Sequence, residues 1–400
     1  MKNKMNLLLV TSNPIENTNS AMISNINIIK GLVENGHSIT IVSFKSPLSN
    51  TSNYIDPILK RVKIIRVDSS QEYKNLISKS ENKINNVFKK RILKYARFIY
   101  HKFGLFDHYK KAVIDMKSIN LDNNYDAMIS FSDPKSSHLL AERIKKENKG
   151  KIKKWIQHWG DPMTIDISRK STLPMSYVRR VEKNVLEKSD HVIYVSPLTL
   201  IKQRELFPDI STKFSFIPLP YYQVKESKQL NHNGKIKVGY FGNYNSKIRD
   251  ISPLYNSFRK ASNIFEFKIV GDTDLNLETT GNTSVISKRV SYLEVTNMEE
   301  KVDVLVVILN KKGTQIPGKL YYYAATNKPI LVIYNESQRE IVSFFERFDR
   351  FTFCLNDENE ILKTINSILR NSNEYKSLEE FSPKSIADEI EKVINNEENN

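Results

Sequence analysis

Residues suited to holding a negatively charged group gather late in the chain, from Gly313 to Ile333 (GTQIPGKLYYYAATNKPILVI). Gly313, Pro317 and Gly318 punctuate a loop, and Lys319 stands in the first turn of a short helix predicted from about Lys319 to Thr326. A helix N-terminus presents free backbone N–H groups and the positive end of a dipole. A lysine in that turn opposes the dipole, a placement that makes sense when an anion sits at the loop. The alternative is an ordinary surface lysine on a connecting helix. A second pair of titratable groups closes the segment KWIQH, where His158 is followed three residues on by Asp161. No cluster of His, Cys and acids has the spacing of a metal site.

These residues need a scaffold, and the hydrophobic pattern supplies one. Val304 to Leu309 and Pro329 to Ile333 are apolar runs of strand length that flank the Gly-containing loop and its helix. Strand, loop, helix, strand is the βαβ unit of a parallel sheet. The same grammar opens the chain: strand Met5 to Val10, a polar loop Thr11 to Ser20, a helix Ala21 to Glu34 capped by Ser20, and strand Ser38 to Phe44. Further strands are Asp126 to Phe131, Lys154 to His158, His191 to Val195, Lys235 to Tyr240 and Phe265 to Val270, with helices between them. Strands alternating with helices indicate a doubly wound α/β sheet, whose ligands bind at the carboxyl ends of the strands. No GxGxxG follows the first strand.

Ser215 to Tyr222 (SFIPLPYY) and the polar stretch after it read as a linker. The organisation expected is an N-terminal domain over 1–218, a C-terminal domain over 219–378, and a C-terminal helix with a disordered tail over 379–400. At 400 residues each domain can bury a core.

The chain carries 61 Lys and Arg against 45 Asp and Glu, a net charge of +16. That balance points to an acidic partner: nucleic acid, an anionic lipid surface or a phosphorylated substrate. The single cysteine, Cys354, excludes an intrachain disulfide and favours a cytosolic compartment. The N-terminal apolar run is too short for a signal peptide, and no run approaches the roughly 20 apolar residues of a membrane span. Lys79 to Lys117 holds eleven Lys and Arg against Glu81, Asp107 and Asp115, with Ile84, Phe88, Ile92, Tyr95, Ile99 and Phe103 at helical spacing. Such a basic amphipathic insertion reads either as a membrane-surface element or as a solvated helix packed on its own domain. No nucleic-acid module is recognisable.

Taken together, PGKLYYYAATNKPIL, GHSIT near residue 36, the glycine after the strand at 271 and FGNYNSKIRD resemble the GT-B glycosyltransferases, close to the retaining glycosyltransferase family 4. The resemblance covers nearly the whole chain, and no single motif is diagnostic. It implies two Rossmann-like domains facing across a cleft, with a nucleotide-sugar donor held mainly by the C-terminal one. A UDP-sugar is expected ahead of a GDP-sugar, with no cofactor and no metal. Lys247 and Arg249 fall where the family keeps basic residues against the donor pyrophosphate, and a guanidinium grips phosphate bidentately. Gly242, Asn243, Gly271 and the run Gln315, Ile316, Pro317, Gly318 and Lys319 would complete the donor site. Tyr322 stands where the family usually has the glutamate that holds the ribose. His158 would lie near the reacting sugar, and Asp161 would accept hydrogen bonds from sugar hydroxyls or orient His158. Asn19, Ser20, Ser132, Asp133 and Ser136 would face the acceptor or the diphosphate.

The reaction so implied moves a sugar to a lipid-linked or glycan acceptor in bacterial surface polysaccharide synthesis, on the inner face of the plasma membrane. Asp272-Thr273-Asp274 is a D-x-D, a metal-holding pair in the other major glycosyltransferase fold. Here it follows a strand and a glycine, and reads as a loop. A sugar-nucleotide epimerase of GT-B type and a partner protein that has lost catalysis are the rival readings.

Overall fold

The computed structural model describes residues 4–17, 19–45, 56–68, 102–226, 235–261, 264–370 and 374–396. It divides into two compact units, Met1–Pro218 with Pro383–Asn400, and Leu219–Ser382.

The first unit is built on seven strands: β1 (Asn6–Val10), β2 (Ser38–Phe44), β3 (Lys63–Val67), β4 (Tyr125–Phe131), β5 (Ile152–Trp159), β6 (His191–Tyr194) and β7 (Phe214–Phe216). Their order is β3-β2-β1-β4-β5-β6-β7, and every pairing is parallel. Side chains alternate across a strand, so β1 serves two cores. Leu7 and Leu9 join Ile39, Ile41, Ile129 and the helix Ser20–Glu34 on one face. Leu8 and Val10 join Val42, Phe44, Met128, Trp155 and the helix Ser136–Glu147 on the other. The strand order reverses between β1 and β4, which leaves a crevice outside their carboxyl ends.

The second unit repeats the plan with β8 (Ile236–Phe241), β9 (Phe265–Val270), β10 (Thr283–Ile286), β11 (Val304–Ile308), β12 (Ile330–Tyr334) and β13 (Thr352–Leu355). The order is β10-β9-β8-β11-β12-β13, again all parallel. The reversal lies between β8 and β11. β11 and β12 are buried along their whole length, as a central parallel strand must be. Val304, Val306, Ile308, Leu331 and Ile333 pack against Leu254 and Phe258 of the helix Ser252–Lys260 and Ile361 and Ile365 of the helix Glu358–Arg370.

Three expectations change. The C-terminal helix, Pro383–Asn395, does not stand apart: Ile386, Ile390, Val393 and Ile394 complete the core of the first unit beside the helix Ser20–Glu34. Gly31 permits that approach, because a Cβ there would collide with the carbonyl oxygen of Pro383. The contact is fixed by His37, which accepts from the Met5 N–H at 3.1 Å and meets Glu391 at 2.9 Å through its other ring nitrogen. The cap of the first helix is Asn19, not Ser20. Asn19 has the extended backbone a cap needs, and its side chain accepts from the Met22 N–H at 2.9 Å. Of the basic insertion, 79–101 and the tail residues 397–400 lie outside the described residues. The rest does not continue as one helix: the chain leaves the helical conformation at Gly104 and resumes it at Tyr109–Asp115. Among the described residues no helix is long and apolar enough to cross a membrane.

Candidate active site

In the second unit the sequence candidates converge on the strand reversal. The loop after β8 is clamped to the end of β9: the Gly242 N–H donates to Val270 at 2.9 Å, and the Tyr244 N–H to Asp272 at 3.0 Å. Gly271 is a close-approach glycine, since a Cβ on it would strike the Gly242 carbonyl. Arg249, eight residues beyond β8, turns back across the reversal. Its Nε and Nη2 donate to Asn310 Oδ1 at 3.2 and 2.8 Å, and its Nη1 to the Asn243 carbonyl at 3.1 Å. Asn310 stands two residues beyond the end of β11, and its own amide donates to the Gln315 carbonyl at 3.1 Å. One guanidinium therefore ties the loop after β8 to the loop after β11. Tyr240, buried beneath, donates to the same Asn243 carbonyl at 3.2 Å. Burial pushes its phenol up, and Arg249 opposes that shift.

The loop Gly313 to Pro317 leads into the six-residue helix Gly318–Tyr323. It is shorter than expected because Ala324 to Asn327 turn away toward β12. Gly313 has φ +92, a left-handed conformation that suits glycine. Gln315 is buried, whereas Ile316, Pro317, Gly318 and Tyr322 are partly exposed. The Tyr322 ring lies against Gly318, 3.4 Å from where a Cβ would stand. Lys319 is ion-paired with Glu299 from the helix Tyr292–Glu300, over the Tyr323 ring at 5.3 Å, and Tyr323 donates to the same carboxylate at 2.9 Å. Its charge is thus partly spent within the protein. Lys247 is exposed on the loop after β8.

The D-x-D carboxylates brace loops. Asp272 accepts from the Arg289 N–H at 2.7 Å, and Asp274 from the N–H and hydroxyl of Ser246 at 2.8 and 2.6 Å. Among the described residues no group of three or more His, Cys, Asp or Glu is arranged to hold a metal.

In the first unit the candidates gather at the ends of β4 and β5. His158 is buried, edge-on to Phe131 with centroids 5.4 Å apart, and burial pulls its pKa down to about 4. It is a neutral imidazole at neutral pH. Ser132 accepts from the Gly160 N–H at 2.8 Å, and its hydroxyl donates to Asp133 at 3.3 Å. Asp133 has φ +60, a strained backbone for a non-glycine residue and a mark of a site whose geometry is over-determined by its surroundings. Gly160 leaves room for the Asp133 carboxylate, which a Cβ would contact at 2.7 Å.

Around these stands Lys135, which sequence reasoning passed over. Its Nζ lies 2.9 Å from Asp166 and 3.8 Å from Asp133. Burial alone would lower the ammonium pKa, but the carboxylates of Asp133 and Asp166 outweigh it and raise it. Asp161 is pushed up to about 7, first by burial and then by the charges of Asp133 and Asp166. The segment holding Asp161 is fixed from below by Glu182, fully buried, which accepts from the N–H groups of Met163 and Thr164 at 2.8 and 2.9 Å.

The Asp161 shift makes a signed prediction. Its folded pKa lies above the unfolded value, so the folded protein holds a proton there that the unfolded chain releases. Stability from this group is complete below about pH 4 and is lost as pH rises toward about 7. Asp161→Asn should therefore melt with the parent at about pH 4 and above it at about pH 8. An equal difference at both pH values would contradict the assignment.

The remaining candidates lie elsewhere. Ser136 is fully buried; it donates to Asp107 and shares a 2.8 Å hydrogen bond with Ser12, so its hydroxyl is occupied inside the fold. Asn19 is the helix cap described above, and Ser20 is exposed beside it. The residues that sequence reasoning missed are Asn310, Lys135, Asp166, Glu182 and Glu299. Of these, only Asn310 carried a signal, as the polar residue that ends the apolar run VLVVIL.

No protein-family model matches this chain, and no curated protein matches it. Solved structures do. Anabaena Alr3699/HepE, solved in complex with UDP and glucose, superposes with a TM-score of 0.58 at 10% identity over 98% of this chain and 100% of that one. The lipopolysaccharide outer core galactosyltransferase WaaB in its apo form gives 0.51 at 11% identity over 98% and 100%. A UDP-forming α,α-trehalose-phosphate synthase from Burkholderia vietnamiensis gives 0.51 at 10% identity over 98% and 96%. Two Rossmann-like parallel sheets, each with its reversal at the first and fourth strands, and these full-length superpositions give the chain the fold of the GT-B glycosyltransferases.

Proposed function

We propose that this protein is a glycosyltransferase that moves a sugar from a nucleotide-sugar donor to a lipid-linked or glycan acceptor in bacterial surface polysaccharide synthesis. The observation that carries the reading is Arg249, a guanidinium held across the strand reversal of the second unit by Asn310 and the Asn243 carbonyl. Such crevices bind nucleotides in open α/β sheets, and a preorganised guanidinium suits a diphosphate. The HepE complexes contain UDP and UDP-glucose, which supports a UDP-sugar ahead of a GDP-sugar.

The mechanism we favour retains anomeric configuration and uses no metal. The acceptor oxygen attacks on the face from which the diphosphate leaves, and a departing phosphate oxygen takes the hydroxyl proton. Arg249 and the backbone amides of Gln315 to Lys319 stabilise the charge that grows on the leaving group. His158, neutral, would donate or accept a hydrogen bond at the sugar. Ser132, Asp133 and Asp161 would hold acceptor hydroxyls. The site of action would be the cytoplasmic face of the membrane.

A second reading, a GT-B partner with impaired catalysis, is favoured by the Lys319–Glu299 pair and by Tyr322 in the ribose position. A thermal-shift panel of nucleotide sugars followed by nucleotide-release assays separates the two. The transferase reading expects both stabilisation and acceptor-dependent release. Stabilisation without release supports the impaired partner, and neither effect with any nucleotide sugar rejects the donor site.

A further inference from the structure

Arg249 and Lys319, the cations that the proposed function sets against the diphosphate, are held in opposite ways. Arg249 is fixed by three hydrogen bonds, to Asn310 and to the Asn243 carbonyl. Lys319 is held by one carboxylate. Its Nζ pairs with Glu299 Oε1, over the Tyr323 ring at 5.3 Å and 5.9 Å from the ring of Phe241, the last residue of β8. The pair is partly open to solvent, its side chains 32% and 15% exposed. The fold does not depend on it. Glu299 keeps the Tyr323 hydroxyl as a donor at 2.9 Å. Its backbone is held by Lys328, whose Nζ donates to the carbonyls of Glu299, Glu300 and Val302 at 2.9, 2.7 and 2.6 Å. The helix Gly318–Tyr323 is seated by Leu320, Tyr321 and Tyr323, all buried. A partly exposed ion pair adds little to stability.

A lysine is a compact charge on a flexible stem with three donors, so it can turn from a carboxylate to a phosphate without moving its backbone. Lys319 stands in the first turn of its helix, beside the amides of Gln315 to Lys319 to which the proposed function gives the leaving diphosphate. A nucleotide there and Glu299 compete for one ammonium. We propose that Glu299 is a positioning residue of the donor site: it holds the Lys319 ammonium back in the free protein, yields it to a diphosphate, and so keeps nucleotide affinity low enough for the product to leave. Product release limits turnover in many enzymes, and a lysine already matched to a carboxylate lets an anion go more readily than an unpaired one. The inference rests on the donor site proposed above and adds to it the residue that sets its affinity.

Calorimetric titration of the full chain with UDP, at fixed low ionic strength, tests it. Glu299→Gln keeps an acceptor for Tyr323 and removes the charge that holds the lysine. It should bind UDP roughly threefold to tenfold more tightly than the parent, the scale of one nearby charge in a partly solvated site. A role in structure alone would weaken binding or leave it unchanged. Glu300→Gln makes the same change of charge at the next residue, which is exposed and outside the pair, and should bind as the parent does. In a Lys319→Gln background the gain from Glu299→Gln should shrink to about twofold or less. Should the single variant melt well below the parent, Glu299→Gln/Tyr323→Phe removes the carboxylate and the phenol together and carries the same expectation. Parent-like or weaker UDP binding in Glu299→Gln overturns the proposal. So does an equal gain in Glu300→Gln, or a gain that persists in full without Lys319. With UDP binding intact in the parent, those results spare the donor site. A parent that binds no UDP removes the donor site and this inference together.

Discussion

Replacing Arg249 by glutamine should weaken UDP-glucose binding by roughly tenfold to a hundredfold, the range expected for losing hydrogen bonds to a charged group. Glutamine can still reach a neighbouring carbonyl, but it brings no charge and no planar fork. Asn310→Ala should reproduce part of the loss without touching the donor. Asn310 Oδ1 accepts two of the three guanidinium hydrogen bonds, so its removal frees the arginine to swing. Calorimetric titration of both variants at fixed ionic strength checks this. A parent-like affinity in the arginine variant would mean that the guanidinium braces the two loops and does nothing more.

The second large effect is on folding. Ending the chain at Ser382 removes Ile386, Ile390, Val393 and Ile394 from the core of the first unit. At about 1.5–3 kcal/mol for each buried aliphatic side chain, the loss approaches the whole stability of an ordinary domain. The truncated protein should expose that face and aggregate or bind a hydrophobic dye. Gly31→Ala is the milder form of the same experiment. The added methyl group meets the Pro383 carbonyl, so the helix must shift, at a cost of about 1–3 kcal/mol. Thermal melts resolve this as a fall of several degrees. A Gly31→Ala variant that melts with the parent would show that the C-terminal helix is loosely seated.

The sequence was most readable where local pattern and tertiary role agree. Apolar runs such as LLLV and VLVVI are buried on both sides in the structure, so their β-propensity and their burial point the same way. The edge strands β3, β7 and β13 were harder. KIIRV carries charges at its first and fourth residues and so breaks the alternation, FSF sits in a Pro-rich stretch that reads as a linker, and TFCL is four residues long. Their pairing is set by the neighbouring strand, not by their own composition. The C-terminal helix was visible as a helix, but its destination was not. An amphipathic face does not say which sheet it will cover; the close approach at Gly31 and the His37–Glu391 contact reveal the match.

The candidate site shows the same division. Gly271, Arg249 and the loop before Lys319 stand out because glycine and charge at strand ends are legible one residue at a time. Lys135, Asp166 and Glu299 are not, because their meaning lies in partners far along the chain. Glu299 is 20 residues from the lysine it pairs with, and Asp166 is 31 residues from Lys135. Ser136 shows the opposite case. A polar residue in a promising loop is as readily recruited by the fold, and here Asp107 and Ser12 hold it.

In the proposed function the crevice of the second unit, bridged by Arg249, receives the diphosphate of a nucleotide. Hydrogen exchange with and without UDP tests it most directly, because it reads the backbone amides themselves. Slowed exchange is expected across 242–249 and 310–319, with smaller changes at 271–274 and none in the edge strand Thr352–Leu355. Unchanged exchange at 242–249 and 310–319 under saturating UDP, or protection confined to the first unit, would contradict it.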